Sequence, residues 1–333
     1  MATSLSIGGA TYDLFLTMKE NLQEEHDAIQ LQIGGKLEVD SVLETCGGGA
    51  SNTAVALSRL GLQASFCGVV ASDQWGEKLL ENLRREHVDV SSVTIIEHET
   101  SSFSIVLSLR SGERTILYAA GVNEHLHDTT FDVSAIRSAN AVYLNHLCET
   151  SCMIEDDIGS ALAEHPDIFL AWNPGGSQIH AGMNRSDAAR LLKATDLLLL
   201  NKEEALKFAE VKTTEEALQK LIKAGVTNVC ITDGARGTHA SDRTHIYYCP
   251  VLSGTKVIDT TGAGDAFGAA ALWALLEGKS LQEAMMSGTL NAASVVSVVG
   301  AQAGLLTETQ IIATLSQNVL EVKKSLPPHH VGR

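Results

Sequence analysis

The sequence has 333 residues, with 24 Lys and Arg against 40 Asp and Glu, a formal net charge of −16 at pH 7. Hydrophobic residues make up 44% and charged residues 19% of the chain, a composition typical of a globular protein rather than a disordered one. The acidic balance argues against a nucleic-acid partner, so any polyanion must be held by a local site of backbone N–H groups or a metal ion.

The sequence also argues against a membrane or secreted protein. No stretch approaches the roughly 18 uninterrupted apolar residues of a membrane span, and the first Lys is Lys19, so the basic region of a signal peptide is missing. The six cysteines include no CxxC pair, which predicts thiols rather than a disulfide framework or a zinc ribbon. We therefore expect a cytoplasmic protein with no membrane partner.

Helix-like and strand-like segments alternate from about Asn52 onward, which predicts a parallel sheet covered by helices. The predicted helices are 51–60, 74–87, 153–164, 186–194 and a small-residue apolar helix that ends near Gly278, and the predicted strands are 64–70, 141–144, 168–172 and 197–200.

One region departs from this alternation. Residues 103–109 and 115–118 flank a polar turn at 110–114 and predict an antiparallel hairpin. Upstream, residues 28–44 alternate loosely as well. Together these segments predict a small β-appendage inserted into the α/β core.

Polar or Gly-rich segments follow several of the predicted strands, namely 173–176, 201–204, 233–237 and 259–265. Ligands of open parallel sheets bind outside the carboxyl ends of the strands. These segments are therefore the predicted binding region.

The strongest motif is the segment 259–265, which reads DTTGAGD and opens the small-residue helix. Gly262, Ala263 and Gly264 fall at the helix N-terminus, where free backbone N–H groups and the helix dipole favour an anion such as phosphate. Asp265 is placed to act as a general base toward a hydroxyl beside that phosphate. The alternative is a Gly-rich turn with Asp265 serving only as a helix-start residue.

Two weaker motifs have structural alternatives. Residues 47–52 open a helix, and their three glycines suit close approach to a ligand or a hinge, with Asn52 able to bind hydroxyls; the alternative is a flexible loop. Asn201 and Glu204 present an amide and a carboxylate suited to a hydrated Mg²⁺, or form a simple helix cap.

Two other patterns match known nucleotide-binding motifs only in part. Residues 278–280 end like a phosphate-binding Walker loop but follow a helix, and position 273 is Trp rather than Gly. Gly262, Gly264 and Gly268 approach a dinucleotide fingerprint, with the third glycine one residue late. A nucleotide-binding dehydrogenase stays as the alternative outside kinases.

In this order the motifs resemble the ribokinase-like (PfkB) family of sugar and nucleoside kinases over nearly the whole chain. Residues 259–265 are similar to the C-terminal signature at every specified position, and residues 48–61 are similar to the N-terminal signature. Ala71 departs from the family pattern, which usually has Gly there. The resemblance implies an α/β fold, namely a three-layer α/β/α sandwich with a small inserted β-sheet lid. In this fold the kinase core would comprise residues 1–12, 47–96 and 122–333, and the lid would comprise residues 13–46 and 97–121.

The resemblance further implies an ATP-dependent kinase that phosphorylates a hydroxymethyl group of a ribose- or fructose-like sugar, with ATP and Mg²⁺ as cofactors. A nucleoside, a sugar acid or a phosphosugar is the alternative acceptor. A phosphosugar would need a cationic clamp, for which Arg110 and Arg114 are the nearby candidates. The lid would close over the sugar and pair two subunits into a homodimer.

The roles that the resemblance implies fall into four groups. The catalytic group is Asp265 with Gly262, Ala263 and Gly264; the substrate-binding group is Asp13, Gly48, Gly49 and Asn52; the ATP-binding group is Asn201, Thr232, Gly234, Gly237 and Asn291; and the metal group is Glu204, for Mg²⁺ through water, and Asp259, for K⁺ together with carbonyls of 299–302. The alternative for Asp259 is that it only caps its own turn.

Overall fold

The computed structural model describes residues 2–19, 24–25, 28–31, 33–108, 114–127, 134–147, 153–317 and 319–326. The strands are β1 (Thr3–Ile7), β2 (Thr11–Met18), β3 (Glu24–Glu25), β4 (Ala28–Ile29), β5 (Val39–Gly47), β6 (Gln63–Cys67), β7 (Val69–Ala71), β8 (Thr94–Ile96), β9 (Phe103–Ser108), β10 (Arg114–Ala119), β11 (Ala141–Leu144), β12 (Phe169–Trp172), β13 (Leu197–Asn201), β14 (Asn228–Thr232), β15 (Thr238–Ser241), β16 (Ile246–Cys249) and β17 (Lys323–Ser325). The helices are α1 (Gly49–Arg59), α2 (Gln74–Arg85), α3 (Met153–Glu164), α4 (Gly176–Ala181), α5 (Ser186–Ala194), α6 (Lys202–Phe208), α7 (Thr214–Lys223), α8 (Ala263–Leu276), α9 (Leu281–Val295) and α10 (Glu308–Leu315), with short 3₁₀ helices at Gly121–His127, Ser134–Ser138 and Gly234–Arg236.

A nine-stranded sheet forms the centre of the core, in the order β17-β16-β15-β14-β13-β12-β11-β1-β6. The strands from β14 to β6 in this order run parallel, and β15, β16 and β17 are added antiparallel at one edge. The carboxyl ends of the parallel strands therefore lie at one edge of the sheet, where a ligand site is expected.

The sheet is buried on both faces because its strands are continuously hydrophobic. In β13, Leu197 and Leu199 pack into one hydrophobic core and Leu198 and Leu200 pack into the other. Helices α1, α8 and α9 cover the first face, and α3, α5, α6 and α7 cover the second. The predicted three-layer α/β/α sandwich is thus confirmed.

A separate four-stranded sheet, which we call the lid, has the order β10-β9-β2-β5. The predicted hairpin is confirmed as the antiparallel pair β9 and β10, and β2 joins β9 in parallel. Of the loosely alternating segment 28–44, residues 39–44 belong to β5, which pairs with β2. The predicted turn with Arg110 lies mostly outside the described residues. The exact lid boundaries at 13–46 and 97–121 stay a prediction.

Most predicted helices and strands are found within a few residues of their expected ends, and one differs. The strand predicted over 64–70 is interrupted at Gly68, and β7 pairs with β8 rather than with the main sheet. Ala71, at the end of β7, is buried, and its backbone N–H donates a hydrogen bond to the Ser101 hydroxyl oxygen at 2.9 Å. An alanine therefore fits where the family pattern usually has glycine.

Two further expectations, for the cysteines and for membrane-spanning helices, can be compared with the described residues. The four cysteines among them are all thiols. No helix in the described part of the chain has both the length and the hydrophobicity to cross a membrane.

Candidate active site

The turn that precedes α8 places the start of this helix at the carboxyl edge of the sheet. Gly262 is its N-cap, with φ of 76° in the left-handed region. A Cβ at this position would lie 2.5 Å from the Cβ of Ala301. Because both the backbone conformation and the space exclude a side chain, Gly262 is required by the fold itself.

Gly264 has a different reason to be glycine. It lies in the first turn of α8 without a positive φ, and a Cβ there would meet no atom within 4 Å. The residue lines a mostly apolar cavity of about 430 Å³ together with Thr232, Gly234, Gly237 and Phe267. No contact with the described residues therefore demands a glycine here, whereas a phosphate approaching the helix N-terminus would.

Asp265, the next residue, opens onto another cavity of about 530 Å³. Burial raises the pKa of Asp265 to about 6, against the opposing effect of a hydrogen bond from Asn52. A carboxylate with this pKa is still ionised at neutral pH and is a better proton acceptor than an ordinary Asp. Consecutive residues at one helix N-terminus thus face two different cavities, which we call the acceptor cavity (Asp265) and the nucleotide cavity (Gly264).

Asn52 holds the Asp265 carboxylate. Its Nδ2 donates to Asp265 Oδ2 at 2.8 Å, and its Oδ1 accepts from Gln302 Nε2 at 3.1 Å. Gln302 is held in turn by Asn82, whose Nδ2 donates to Gln302 Oε1 at 2.8 Å. Asn52 is 3% exposed and is not among the residues lining the acceptor cavity. In this structure the residue predicted to bind substrate therefore holds the Asp265 carboxylate.

Gly48 and Gly49, which the sequence predicts to bind substrate, both line the acceptor cavity. Gly48 has φ of 91°, and a Cβ on it would lie 2.6 Å from the carbonyl oxygen of Gly9. The chain therefore needs glycine here to pass close to the β1–β2 connection, so the cavity wall is bare backbone.

Asp13 is buried behind this wall and is not among the lining residues. Its Oδ1 accepts a hydrogen bond from the Ser104 hydroxyl of the neighbouring lid strand. Burial raises the pKa of Asp13 to about 6, the Ser104 bond opposes this, and the negative charge of Asp259 adds to it. A substrate contact by Asp13 stays a prediction, since in this structure the carboxylate is bonded within the lid.

Two asparagines of the acceptor cavity have unpartnered carbonyl oxygens that the sequence analysis did not identify. The Oδ1 atoms of Asn123 and Asn145 are buried and have no hydrogen-bond partner among the described residues. Their Nδ2 atoms are fixed, on the Ala10 carbonyl at 3.2 Å and on the Thr53 hydroxyl at 3.2 Å. Both oxygens can therefore accept hydrogen bonds from substrate hydroxyls.

A signal for one of these residues was present in the sequence. Asn145 and His146 directly follow strand β11, so the rule that ligands bind at the carboxyl ends of strands points to them. Asn123 lies in a 3₁₀ helix after the lid, and no sequence pattern distinguishes it from an ordinary loop residue.

Asn201 and Glu204 form a reciprocal helix cap at the start of α6. The Glu204 N–H donates to Asn201 Oδ1 at 2.9 Å, and the Asn201 N–H donates to Glu204 Oε2 at 2.8 Å. Glu204 also lines the acceptor cavity, and burial raises its pKa. The cap therefore positions Glu204 and leaves its Oε1 outside these two bonds.

The predicted ATP-binding residues divide into two groups. Thr232, Gly234 and Gly237 line the nucleotide cavity, whereas Asn201 and Asn291 do not. Asn291 is 0% exposed; its Nδ2 donates to the Ala266 carbonyl at 2.9 Å and its Oδ1 accepts from the Leu306 N–H at 2.9 Å. An ATP contact by Asn291 stays a prediction; in this structure both ends of its amide brace α8 against its neighbours.

The backbone donors of the predicted anion hole are also not equivalent. The Ala263 N–H makes a long hydrogen bond of 3.3 Å to the Thr260 carbonyl, which closes the turn. Ala263 therefore stabilises the turn in this structure. Gly264 and Asp265 follow it in the first helical turn, where N–H groups lack partners within the helix.

Asp259 does not present an open carboxylate to K⁺. It is 6% exposed and forms an ion pair with Arg114 of the lid strand β10. It also accepts hydrogen bonds from Thr261 and from the Gly300 N–H at 2.9 Å. Burial raises the pKa of Asp259, but these hydrogen bonds and Arg114 outweigh burial and hold it below its usual range. K⁺ binding at Asp259 stays a prediction; in this structure the Arg114 guanidinium pairs with the carboxylate.

The residues that line the two cavities are chemically suited to ATP and Mg²⁺. The open space at Gly264 can take a phosphate, and the apolar wall beyond it can take a base. Among the described residues no group of three or more His, Cys, Asp or Glu side chains could hold a metal ion. Mg²⁺ in phosphoryl transfer is usually bound through phosphates, water and one or two carboxylates, and Glu204, which lines the acceptor cavity, is the candidate carboxylate.

Known proteins are similar to this chain over most of its length. Residues 3–308 match the profile described as pfkB family carbohydrate kinase. A ribokinase of Haemophilus influenzae is 29% identical over 278 residues, covering 81% of this chain and 87% of that protein. A sugar kinase of Archaeoglobus fulgidus, described as uncharacterized, is 32% identical over 257 residues, covering 75% and 98%. The structure of Arabidopsis thaliana ribokinase complexed with ribose and ATP superposes with a TM-score of 0.79 at 22% identity, covering 94% of this chain and 98% of that one.

Proposed function

Because this chain belongs to the pfkB family of carbohydrate kinases, we propose that it transfers the γ-phosphoryl group of ATP to a hydroxymethyl group of an uncharged sugar of the ribose or fructose type. The observation that carries the proposal is the position of Gly264 and Asp265. They are consecutive residues at the start of α8, yet Gly264 lines the nucleotide cavity and Asp265 lines the acceptor cavity. A phosphoryl group at this helix N-terminus would lie between its donor and its acceptor.

In the proposed reaction Asp265 accepts the proton of the attacking hydroxyl as the new oxygen–phosphorus bond forms and the bond to ADP breaks. Asn52 keeps the carboxylate turned toward the acceptor. The backbone N–H groups of Gly264 and Asp265 stabilise the charge on the transferred phosphoryl oxygens. Positioning and electrostatics of this kind supply most of the acceleration in phosphoryl transfer.

Mg²⁺ would neutralise the phosphate charge, and Glu204 is the carboxylate proposed to hold it through water. Thr232, Gly234 and Gly237 are proposed to contact the nucleotide, and Gly48 and Gly49 to approach the sugar. Asn123 and Asn145 are added as proposed hydroxyl acceptors.

The charge of the acceptor cavity supports an uncharged sugar over a phosphosugar or a sugar acid. Among the described residues that line it, none is Lys or Arg, whereas Glu124, Glu204 and Asp265 are acidic. A phosphate or carboxylate on the substrate would face these carboxylates without a cationic partner, which is costly in a partly buried site. Arg114, one of the two expected clamps, is engaged with Asp259, and Arg110 lies outside the described residues.

The lid supports the proposal of a homodimer. Its edge strands β5 and β10 expose large apolar side chains, among them Val42 (54% exposed), Ile116 (50%) and Leu117 (52%). An exposed apolar edge favours pairing with a second sheet. Sedimentation at several protein concentrations tests this, and the location predicted from the sequence, the cytoplasm, is tested by cell fractionation.

The experiment for the proposed function is an ATP-consumption assay over a panel of uncharged sugars, sugar acids, phosphosugars and nucleosides, each with Mg²⁺. We expect kcat/KM to be highest for a pentose or ketohexose with a free hydroxymethyl group. A protein that consumes ATP only with a phosphosugar or a nucleoside would refute the proposed substrate class.

A further inference from the structure

A guanidinium from the lid lies directly on the turn that forms the anion hole. Arg114, the first residue of β10, forms an ion pair through Nη1 with Asp259, and its Nη2 donates to Thr260 Oγ1 at 2.7 Å. The Arg114 side chain is 32% exposed and that of Asp259 only 6%. The contact therefore joins the lid to the core at a partly buried position, two residues before Gly262.

Four hydrogen-bond donors contact the Asp259 carboxylate. Besides Arg114, it accepts from the Thr261 N–H at 3.0 Å, from the Thr261 hydroxyl at 2.8 Å and from the Gly300 N–H at 2.9 Å. Three of these donors, Arg114 and the two groups of Thr261, bond to Oδ1, and the Gly300 N–H bonds to Oδ2. Among these four donors only Arg114 carries a charge, and a metal cation at the same carboxylate would be repelled by it.

We propose that the Arg114 guanidinium is the resident cation of the anion-hole turn and makes a monovalent metal ion unnecessary for this enzyme. Arg114 acts as a positioning residue: it fixes Asp259 and Thr260, and these fix the turn that ends at Gly262. The inference rests on the proposed function, since its main readout is phosphoryl transfer.

The chemistry of arginine suits this role better than that of a free ion. Its planar fork spans two acceptors at once, here the Asp259 carboxylate and the Thr260 hydroxyl, and so sets their relative orientation. The guanidinium belongs to the lid, where β10 is paired with β9. The turn therefore obtains its cation only when the lid is in this position, which links lid closure to the donor geometry.

The test compares the wild type with Arg114→Gln at constant ionic strength, in K⁺ and in tetramethylammonium. The wild-type kcat should be the same in both. In tetramethylammonium, R114Q should lose about tenfold in kcat, less than the roughly 100-fold expected for removal of a donor itself. Its KM for ATP should change little, and K⁺ or added methylguanidinium should restore part of the loss.

A matched control removes a different ion pair between lid and core. Lys78 of α2 pairs with Glu44 of β5 and also donates to the Tyr12 hydroxyl at 2.9 Å, whereas Arg114 binds Asp259 and Thr260. Lys78→Gln should therefore gain no response to K⁺ or methylguanidinium. If K78Q and R114Q respond alike, the effect belongs to lid attachment in general and the proposal is overturned.

Thermal unfolding gives a readout that does not depend on activity. K⁺, compared with tetramethylammonium, should raise the Tm of R114Q and leave the wild-type Tm unchanged. A wild type whose kcat falls severalfold without K⁺ overturns the proposal, and so does an R114Q variant indifferent to both cations. Neither result affects the proposed function, which fails only if no sugar supports ATP consumption.

Discussion

Replacing Asp265 with Asn should lower the turnover of the protein strongly and raise its free energy of unfolding. The variant keeps the shape of the side chain, and its amide oxygen can still accept the hydrogen bond from Asn52. Burial raises the pKa of the native carboxyl to about 6 from an ordinary 3.8. At 1.36 kcal/mol per pKa unit, this corresponds to a cost of about 3 kcal/mol for keeping the carboxylate ionised, an upper limit because the side chain opens onto a cavity.

The pH dependence of this cost follows from the sign of the change. Because the pKa is higher in the folded state than in the unfolded state, the full penalty is present above about pH 6 and disappears as the pH falls below about 4. Urea denaturation of D265N and wild type from pH 4 to pH 8 should show D265N more stable by about 2 to 3 kcal/mol at pH 8, with the difference shrinking toward pH 4.

Turnover measured on the same samples should fall about 100-fold or more, as expected for loss of a general base. Asp233→Asn is the matched control, because Asp233 accepts from Arg236 at 2.9 Å and from Lys202 at 3.0 Å, which lowers its pKa to about 2. D233N should be less stable than wild type at neutral pH. Equal stability of D265N and wild type at every pH, or near wild-type turnover, would refute the reasoning.

Three further predictions concern single contacts of the site. Gly264→Ala should keep the wild-type Tm and raise the KM for ATP about tenfold or more. Gly262→Ala should lower the Tm, because the φ of 76° at Gly262 and the 2.5 Å that would separate a Cβ there from a neighbouring side chain leave no place for that atom. Equal losses of Tm in the two variants would contradict this difference. Asn52→Ala should lower kcat and move the acid limb of the pH–rate profile to a higher pH, because the hydrogen bond from Asn52 lowers the pKa of Asp265; an unchanged limb would mean that Asn52 does not orient the base. Asn145→Ala should raise the KM for the sugar and leave the KM for ATP unchanged, which steady-state kinetics with each substrate varied in turn can check.

The sequence was sufficient for the fold because several local signals agree. The four consecutive leucines of β13 are divided between two cores, which is the arrangement that a continuous apolar strand in a parallel sheet predicts. The turn 259–265 could be placed at a helix N-terminus because small residues and glycines precede an apolar helical pattern.

The partners of the site residues could not be predicted in the same way. Asn52 is separated from Asp265 by 213 positions, and Arg114 from Asp259 by 145. Such contacts depend on how the lid and the sheet are placed in space, and no spacing rule along the chain contains that information. For the same reason the sequence predicted a substrate contact for Asn52 and did not reveal its hydrogen bond to Asp265.

The most direct test of the proposed kinase reaction is identification of its product by ³¹P NMR. Purified protein with ATP, Mg²⁺ and the best sugar of the panel should give ADP and a phosphate monoester on the hydroxymethyl carbon, and D265N should form this ester about 100-fold or more slowly under the same conditions. ATP hydrolysis to inorganic phosphate without an ester, or an ester formed equally well by D265N, would contradict the assignment of Asp265 as the base of a sugar kinase.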